Sequence, residues 1–248
     1  MATQKPLGFK TLKQKQRAIR EGFPEQLGLR THRALSWLQR AELETEDADV
    51  RFILLWISFN AAFAADLKDD GFSTRDEFRA FFEGLIERDR DKRIYNAVWT
   101  RFSQEIRLLL DNQYVFAPFW YHHNGMPGYA DWEAKLAASK KITADALIRT
   151  NTFRILITLF DRLYVLRNQL VHGGATWNGT VNRSQVTDGA AVLANLVPVF
   201  IDIAMLMAKS SASSAQPSVE RTAWASLACS RRRSNQANAH KAARANPP

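Results

Sequence analysis

The feature that most constrains the fold is a segment, Asp49–Leu67, that is apolar on nearly every side. A surface helix keeps a polar face toward water, and this segment has almost none, so it predicts the central helix of a bundle. Its apolar stretch, Phe52–Ala65, is broken by Ser58 and Asn60 and is shorter than the ~18 residues of a membrane span. We therefore predict no membrane partner.

The rest of the body repeats the helical spacing and has no alternating strand pattern. Apolar residues three and four apart predict helices from Thr31 or His32 to Glu46, from Ser73 or Thr74 to Leu85, and over Ile94–Leu110, Trp132–Ser139, Thr143–Val171 and Asp188–Ala208, the last with a kink at Pro198. An aromatic-rich loop, residues 114–132, and a polar loop, residues 175–187, separate them. We predict an all-α bundle.

Basic residues are concentrated at the two ends of the chain. The formal net charge is +9, yet residues 1–20 hold six Lys/Arg with no acid, and residues 210–248 hold six with one acid. Residues 21–209 are therefore close to neutral, which weakens an argument from net charge to nucleic-acid binding. We predict a loose basic arm with a short helix (1–24), a helical domain (25–209) and a disordered basic tail (210–248). The basic ends are either solvated or add RNA affinity.

One short segment carries residues suited to reaction chemistry: Arg167–Gly174, here called the signature segment. Arg167 supplies a permanent planar charge that fits phosphate oxygens. His172 can exchange a proton near neutral pH, and Asn168 adds a polar side chain at the same helix end. The alternative is an ordinary helix C-terminus, in which Gly173 caps the helix and His172 binds the last carbonyls.

Other chemistry is poorly represented in the sequence. Cys229 is the only cysteine, which excludes an internal disulfide and a cysteine-based zinc site. The sequence has no phosphate-binding glycine loop and no clustered metal ligands. We therefore predict no metal and no cofactor.

The residues Arg162–Gly173, RLYVLRNQLVHG, resemble the signature of HEPN domains. These are all-α bundles marked by an arginine, a polar residue that is often asparagine, and a histidine a few residues later. The segment Phe52–Phe63, FILLWISFNAAF, looks like an early core helix of the bacterial, Apea-like HEPN group. The resemblance covers about residues 30–208 and implies an up-and-down helical bundle with extra helices.

The resemblance also implies a function. HEPN proteins are commonly metal-independent endoribonucleases, often toxins or defence effectors, in which Arg and His from two protomers meet at a dimer interface. Here His172 would act as general base or acid, Arg167 would hold the scissile phosphate, and Asn168 would orient either group. The products would be a 2′,3′-cyclic phosphate and a 5′-hydroxyl. The implied partners are RNA, a second copy of the chain and an antitoxin protein, in the cytoplasm.

Helix geometry restricts how this chemistry can be arranged. Residues five apart in a helix point ~140° away from each other. Arg167 and His172 therefore share a site only if the helix unwinds near Val171 or a partner protomer supplies one of them. Two alternatives stay open: an inactive HEPN-like module that dimerises and binds protein or nucleotide, and a structural helical protein with a chance Arg–His spacing.

Three further residues are candidate substrate-binding groups. Asn60 lies in the apolar helix and either bonds a neighbouring helix or acts beside the signature segment. Trp120 either stacks RNA bases or covers a hydrophobic cluster under the aromatic loop. Arg183 binds phosphate near Arg167, lies in a solvated loop, or forms a salt bridge with Asp188.

Overall fold

The computed structural model describes residues 7–63 and 74–213, and within those ranges all regular structure is helical. The helices are α1 Phe9–Ile19, α2 Glu25–Leu43, α3 Ala48–Phe63, α4 Thr74–Arg88, α5 Arg93–Asn96, α6 Ser103–Asp111, α7 Ala117–His123, α8 Trp132–Ile148, α9 Thr152–Val171 and α10 Arg183–Ser213. Tight turns of helix cover Arg20–Gly22 and Gln113–Val115, and a π-helical turn covers Ala97–Arg101. The all-α prediction is confirmed for these residues.

The core is built around α3, as the sequence predicts. Phe59 of α3 is fully buried and packs 4.6 Å, centroid to centroid, from Phe160 of α9. Phe82 of α4 lies 4.7 Å from the same ring, and Phe200 of α10 lies 5.9 Å from it. Four helices therefore meet through four buried phenylalanines, each of which contributes a large apolar area.

Two close approaches fix the helices around α3. The Ser58 hydroxyl donates to the carbonyl of Ala34 in α2 at 2.7 Å, which satisfies a polar group inside the core. A Cβ on Gly189 would lie 2.9 Å from the ring of Phe52, so α10 crosses α3 where only a glycine fits. The N-terminal part of α10 is thereby held against α3.

The N-terminal segment is not a loose arm. Its predicted short helix is α1, in which Leu12 and Gln16 are buried, and the Lys15 ammonium pairs with buried Asp202 of α10 at 2.5 Å. Helix α2 also begins at Glu25, about two turns before the predicted Thr31. Residues 9–43 thus belong to the folded body, because α1 buries an apolar face against it.

The aromatic-rich stretch is also more regular than the predicted loop. Helix α7 forms within it, with Pro118 in the first turn, where its missing N–H is tolerated. Helix α8 then runs unbroken past Ser139. Together they form a second apolar cluster, named the aromatic cluster, whose members are Phe116, Phe119, Trp120, Trp132 and Leu136.

Helix α10 starts at Arg183, five residues before the predicted Asp188, and Pro198 lies inside it. By length and composition, Arg183–Leu206 is a helix that could cross a membrane, with a mean hydropathy of 2.0 over its most apolar window. However, 78% of that window is buried inside the bundle, and the core helix of a soluble protein passes the same test. The chain splits into two compact units, of which the first ends at Ser210. The predicted tail, residues 210–248, lies outside the described residues from position 214 onward.

Candidate functional site

The signature segment forms the C-terminus of α9. The backbone N–H of His172 donates to the Asn168 carbonyl at 3.0 Å, so the helical hydrogen-bond pattern continues through His172. Gly173 then takes a φ of +73°, a conformation that glycine adopts without steric cost. The turn brings the N–H of Ala175 back to the Gln169 carbonyl at 3.0 Å, and the chain leaves the helix there.

This ending decides how Arg167 and His172 are placed. Because His172 keeps its helical hydrogen bond, its side chain points ~140° away from that of Arg167. Within the described residues, no hydrogen bond joins the two side chains. A single chain therefore does not bring Arg167 and His172 together.

The two side chains have different surroundings. Arg167 is half-buried, and its Nη1 donates to the Asn168 side-chain oxygen at 2.9 Å. It forms no ion pair with a carboxylate of the described residues, so its charge is not neutralised there. His172 is exposed, and its ring makes no hydrogen bond within that same part of the chain. Asn168 thus holds the Arg167 guanidinium, and both this guanidinium and the His172 imidazole stay accessible.

A buried glutamine fixes the base of the site. The Gln169 side chain donates through Nε2 to the Tyr114 carbonyl at 2.7 Å and accepts from Asn182 Nδ2 at 2.8 Å. It thus ties the end of α9 to the turn before α7 and to the residue that precedes α10. A buried amide with both ends bonded gives this corner a defined geometry.

Arg183 has a structural partner instead of the predicted phosphate. Its guanidinium binds both oxygens of Asp49, at 2.6 and 3.1 Å, and also donates to the Asn178 side chain at 2.9 Å. The bidentate pair neutralises Arg183 and joins the start of α10 to the start of α3. The acidic partner of Arg183 is thus Asp49 in place of the predicted Asp188, and its role toward a substrate stays a prediction.

A cavity of about 540 Å³ lies beside this ion pair, between the α2–α3 connection, the start of α10 and the loop after the signature segment. Trp177 stands at its edge with 71% of its surface exposed. Its indole N–H donates to Asp47 Oδ2 at 2.6 Å, and the next residue, Asn178, donates its backbone N–H to Asp49 at 2.8 Å. An exposed aromatic face is thus held in a fixed position.

Charge at this cavity is set by a few groups. Hydrogen bonds from the backbone N–H of Val50, and further ones from Trp177 and Asp49, lower the pKa of Asp47, so its carboxylate is ionised near neutral pH. Arg51 also lines the cavity, and its Nε is buried without a hydrogen-bond partner in the described residues. The cavity therefore places an aromatic face and a guanidinium close together, beside the carboxylates of Glu46 and Asp47.

The other two predicted substrate-binding residues lie elsewhere. Asn60 is half-buried and follows Asp49 by eleven residues, about 16 Å along α3, so it is far from the loop at this end. Trp120 donates its indole N–H to the Tyr114 carbonyl at 2.7 Å and packs edge-to-face on Phe119 at 5.1 Å. Trp120 thus packs against the aromatic cluster, and its role in base stacking stays a prediction.

From the sequence, Trp177 has no predicted functional role, and Asp47 and Asp49 are candidates only for capping the helix that follows them. The sequence signal for Trp177 is a tryptophan inside a polar loop of Thr, Asn and Gly, where no apolar neighbour would bury it. Asp47 reads as a helix cap, which it is, with Oδ1 accepting from the N–H groups of Asp49 and Val50. The hydrogen bond from Trp177 to the second oxygen of Asp47 could not be predicted from the sequence.

Comparison with known proteins assigns no function to this geometry. No protein-family model, no curated protein and no solved structure matches the chain. In the part of the chain that the structure describes, no group of three or more His, Cys, Asp or Glu side chains is placed to hold a metal ion. The chemistry of the site is inferred from its own residues.

Proposed function

We propose that the protein is a metal-independent endoribonuclease whose active site forms where the α9 ends of two copies meet. The observation that carries the proposal is the state of Arg167 and His172: both are accessible, Arg167 has no carboxylate partner among the described residues, and His172 is solvated. Helix geometry separates them within one chain, and a second copy can supply the missing group.

Exposed apolar residues near the same end support a partner of this kind. Val171, Trp177 and Val181 are exposed by 48%, 71% and 77%, and all three lie within eleven residues of chain around the turn. Monomeric proteins keep such neighbouring apolar groups few, and clustered ones mark interaction sites. Burying them against a second copy would bring two signature segments together.

The proposed reaction at each site uses His172 of one copy and Arg167 of the other. Neutral His172 takes the proton of the ribose 2′-hydroxyl, and the 2′-oxygen attacks the phosphorus. The bond from phosphorus to the 5′-oxygen breaks, water gives that oxygen its proton, and His172 returns its own proton to solvent. Arg167 stabilises the negative charge on the non-bridging oxygens. The products are a 2′,3′-cyclic phosphate and a 5′-hydroxyl, which restricts the substrate to RNA.

Trp177 fits the same function as a platform for a base. Aromatic faces bind bases of single-stranded RNA without strict sequence preference. Trp177 follows His172 by five residues, so their Cα atoms are at most about 18 Å apart along the chain. A base stacked there would belong to the same RNA strand as the scissile phosphate, with Arg51 available to a neighbouring phosphate.

Cleavage of RNA by the purified protein in EDTA tests the proposal. We expect the wild type to leave 2′,3′-cyclic phosphate ends and the variants Arg167→Ala and His172→Ala to lose cleavage. Arg154→Ala and His122→Ala are matched controls, because these residues are exposed and lie outside the site. Equal cleavage by wild type and His172→Ala would reject the assignment, and absence of cleavage by a folded dimer would favour a binding module.

A mixing experiment tests whether the site is shared between copies. Arg167→Ala and His172→Ala proteins are each inactive under the proposal, but a mixed dimer contains one intact Arg–His pair. Random exchange at equal amounts should restore about one quarter of the wild-type activity per chain. Failure to restore any activity, with subunit exchange shown by native mass spectrometry, would place Arg167 and His172 in one chain or exclude one of them.

A further inference from the structure

Three basic residues lie on one face of α1, and a fourth follows directly after its last residue. Lys10, Lys13 and Arg17 follow each other at three- and four-residue spacing, and Arg20 opens the tight turn after Ile19. At 100° per residue Lys10, Lys13 and Arg17 lie within about 60° of one another and extend over about 10 Å along the axis. We call these four residues the basic stripe. Leu12 and Gln16, which are buried, lie on the side that packs against the body.

The charges of the basic stripe are not neutralised by described residues. Lys10, Arg17 and Arg20 are exposed and form no ion pair there, whereas Lys15, on another side of α1, pairs with Asp202. Lys13 is crowded by other bases: its Nζ lies 3.4 Å from Nδ1 of His32. Burial lowers the pKa of Lys13, and the nearby charges of Arg17 and Arg20 lower it further.

Unpaired like charges held this close destabilise a fold on their own, because each raises the energy of the others. The arrangement is relieved by an anion with regularly spaced charges. This is the property of a nucleic-acid backbone, whose phosphates release counterions when basic side chains bind them.

The position of the stripe relates it to the candidate site. The N–H of Phe9, at the start of α1, donates to Glu42 of α2 at 2.7 Å. Trp177 donates to Asp47, which lies five residues after Glu42, in the connection that follows α2. The stripe therefore begins at the end of the bundle where Trp177 stands and runs away from it along α1.

We propose that the basic stripe binds the phosphate backbone of single-stranded RNA and holds the strand whose other part reaches Trp177 and the α9 ends. A membrane surface is the less suitable partner, because interfacial helices also present large apolar side chains and α1 exposes none in the described residues. The identity of the polyanion rests on the proposed ribonuclease function, and the stripe itself rests on the geometry of α1.

Salt dependence of RNA binding tests the stripe. A fluorescein-labelled single-stranded RNA is titrated with the full-length His172→Ala protein, which does not cleave under the proposal, between 50 and 200 mM salt. Replacing the four stripe residues by Gln (Lys10→Gln, Lys13→Gln, Arg17→Gln, Arg20→Gln) should weaken binding and flatten the slope of log K against log salt. The loss is about 0.7 per phosphate contact, or nearly 3 if all four bind.

The control carries the same change in net charge at exposed basic residues of α6, α8 and α9: Arg107→Gln, Lys140→Gln, Lys141→Gln and Arg154→Gln. It should keep the slope of the parent protein. Equal slopes for the stripe variant and the control, with both proteins folded by circular dichroism, would overturn the proposal. Stripe-dependent sedimentation with vesicles of phosphatidylcholine and phosphatidylserine, without a change in the RNA slope, would also overturn it.

The outcome is separable from that of the proposed function. Binding is measured in a variant lacking His172, so the result does not depend on catalysis. If the wild type cleaves no RNA but the slope still depends on the stripe, RNA binding by α1 stands and the ribonuclease proposal fails. If cleavage depends on His172 but the slope does not depend on the basic stripe, the ribonuclease proposal stands and RNA binding by α1 fails.

Discussion

Three arginines, two in α9 and one at the start of α10, have different chemical capacities because of what surrounds each one. Arg167 bonds only a neighbouring amide, and Arg183 is held by both oxygens of Asp49. Arg162 is buried, donates to Ser139 at 2.9 Å and lies 4.4 Å over the Phe116 ring, and burial lowers its pKa to about 10. Only Arg167 keeps an accessible charge that no described carboxylate neutralises, which is why the proposed chemistry is assigned to it.

The role of Trp177 as a base platform predicts a loss of RNA binding on truncation. In the His172→Ala protein, Trp177→Ala should weaken binding of single-stranded RNA by about 5- to 150-fold, the range for one stacked base. Trp37→Ala is the control, because Trp37 is also partly exposed, at 39%, but lies on α2. Fluorescence anisotropy of labelled RNA provides the measurement.

The variant Trp177→Phe separates stacking from the hydrogen bond to Asp47. Phenylalanine keeps an aromatic face and lacks the indole N–H, so we expect it to retain most of the binding. If Trp177→Phe binds as weakly as Trp177→Ala, the hydrogen bond to Asp47 and not the ring face is the contribution that matters, and the platform role is rejected.

The raised pKa of Asp188 leads us to expect that replacing this residue by Asn stabilises the protein at pH 7 but not near pH 3. Burial raises the pKa of this carboxyl above its usual 3.8, and Glu105 raises it further. The folded state therefore holds the proton more tightly than the unfolded state, and stability is lost as pH rises from about 4 through the raised pKa. Asp188→Asn removes this loss, so its melting temperature should exceed that of wild type at pH 7 and match it near pH 3.

Asp131→Asn is the control for Asp188→Asn, since a hydrogen bond from Lys135 lowers the pKa of Asp131. Its replacement should not raise the melting temperature at pH 7. A higher melting temperature in both variants would mean that removing any acidic charge is stabilising, and that the burial of Asp188 does not explain the effect. Calorimetric scans at the two pH values are sufficient to decide this.

At the scale of the element, the end of α9 depends on Gly173. A Cβ added there meets open space, so the expected penalty of Gly173→Ala comes from the backbone conformation alone, with φ at +73°. The free energy of unfolding should fall by about 1–2 kcal/mol, and by less for Gly173→Asn, because asparagine tolerates this conformation. Urea denaturation measures both, and equal values for Ala and Gly would show that the turn relaxes.

The helices whose faces are apolar at regular spacing were predictable from the sequence. The central position of α3 follows from its nearly continuous apolar surface. The end of α9 at Val171 follows from its apolar spacing and from the glycine that comes after it. The start of α10 was not predictable, since Arg183 is fixed by Asp49, a residue 134 positions away. Likewise, the sequence located the α9 terminus and its Arg–His pair, but contacts of the following loop exist only in the folded chain.

At the scale of the whole molecule, one buried carboxylate joins distant parts of the chain. Asp202 of α10 accepts from Lys15 of α1 at 2.5 Å and from Arg93 of α5 at 2.6 Å. A buried carboxylate is stabilised by its two cationic partners, and removing the carboxylate leaves those cations without their counter-charge. This cluster, together with Leu12, keeps the basic N-terminal segment in the fold, so the basic stripe has a fixed place on the molecule.

Asp202→Asn should therefore destabilise the protein, because Lys15 loses its ion pair and Arg93 keeps only the longer contacts to Asp89 and Asp91, at 3.9 Å each. We expect a loss of about 1.5–3 kcal/mol in the free energy of unfolding, the range for a hydrogen bond to a charged group. The exposed pair Asp131–Lys135 is the control, and Asp131→Asn should change the free energy of unfolding far less.

Hydrogen exchange then shows which part of the molecule Asp202 holds. Amides of α1 should exchange faster in Asp202→Asn, relative to those of α9, because α1 loses its ion pair while α9 keeps its core contacts. A global loss of stability with unchanged relative protection of α1 would contradict this assignment. In that case Arg93 would account for the energy. The position of α1, and with it the basic stripe, would depend on its other contacts, which include the burial of Leu12 and the hydrogen bond from Phe9 to Glu42.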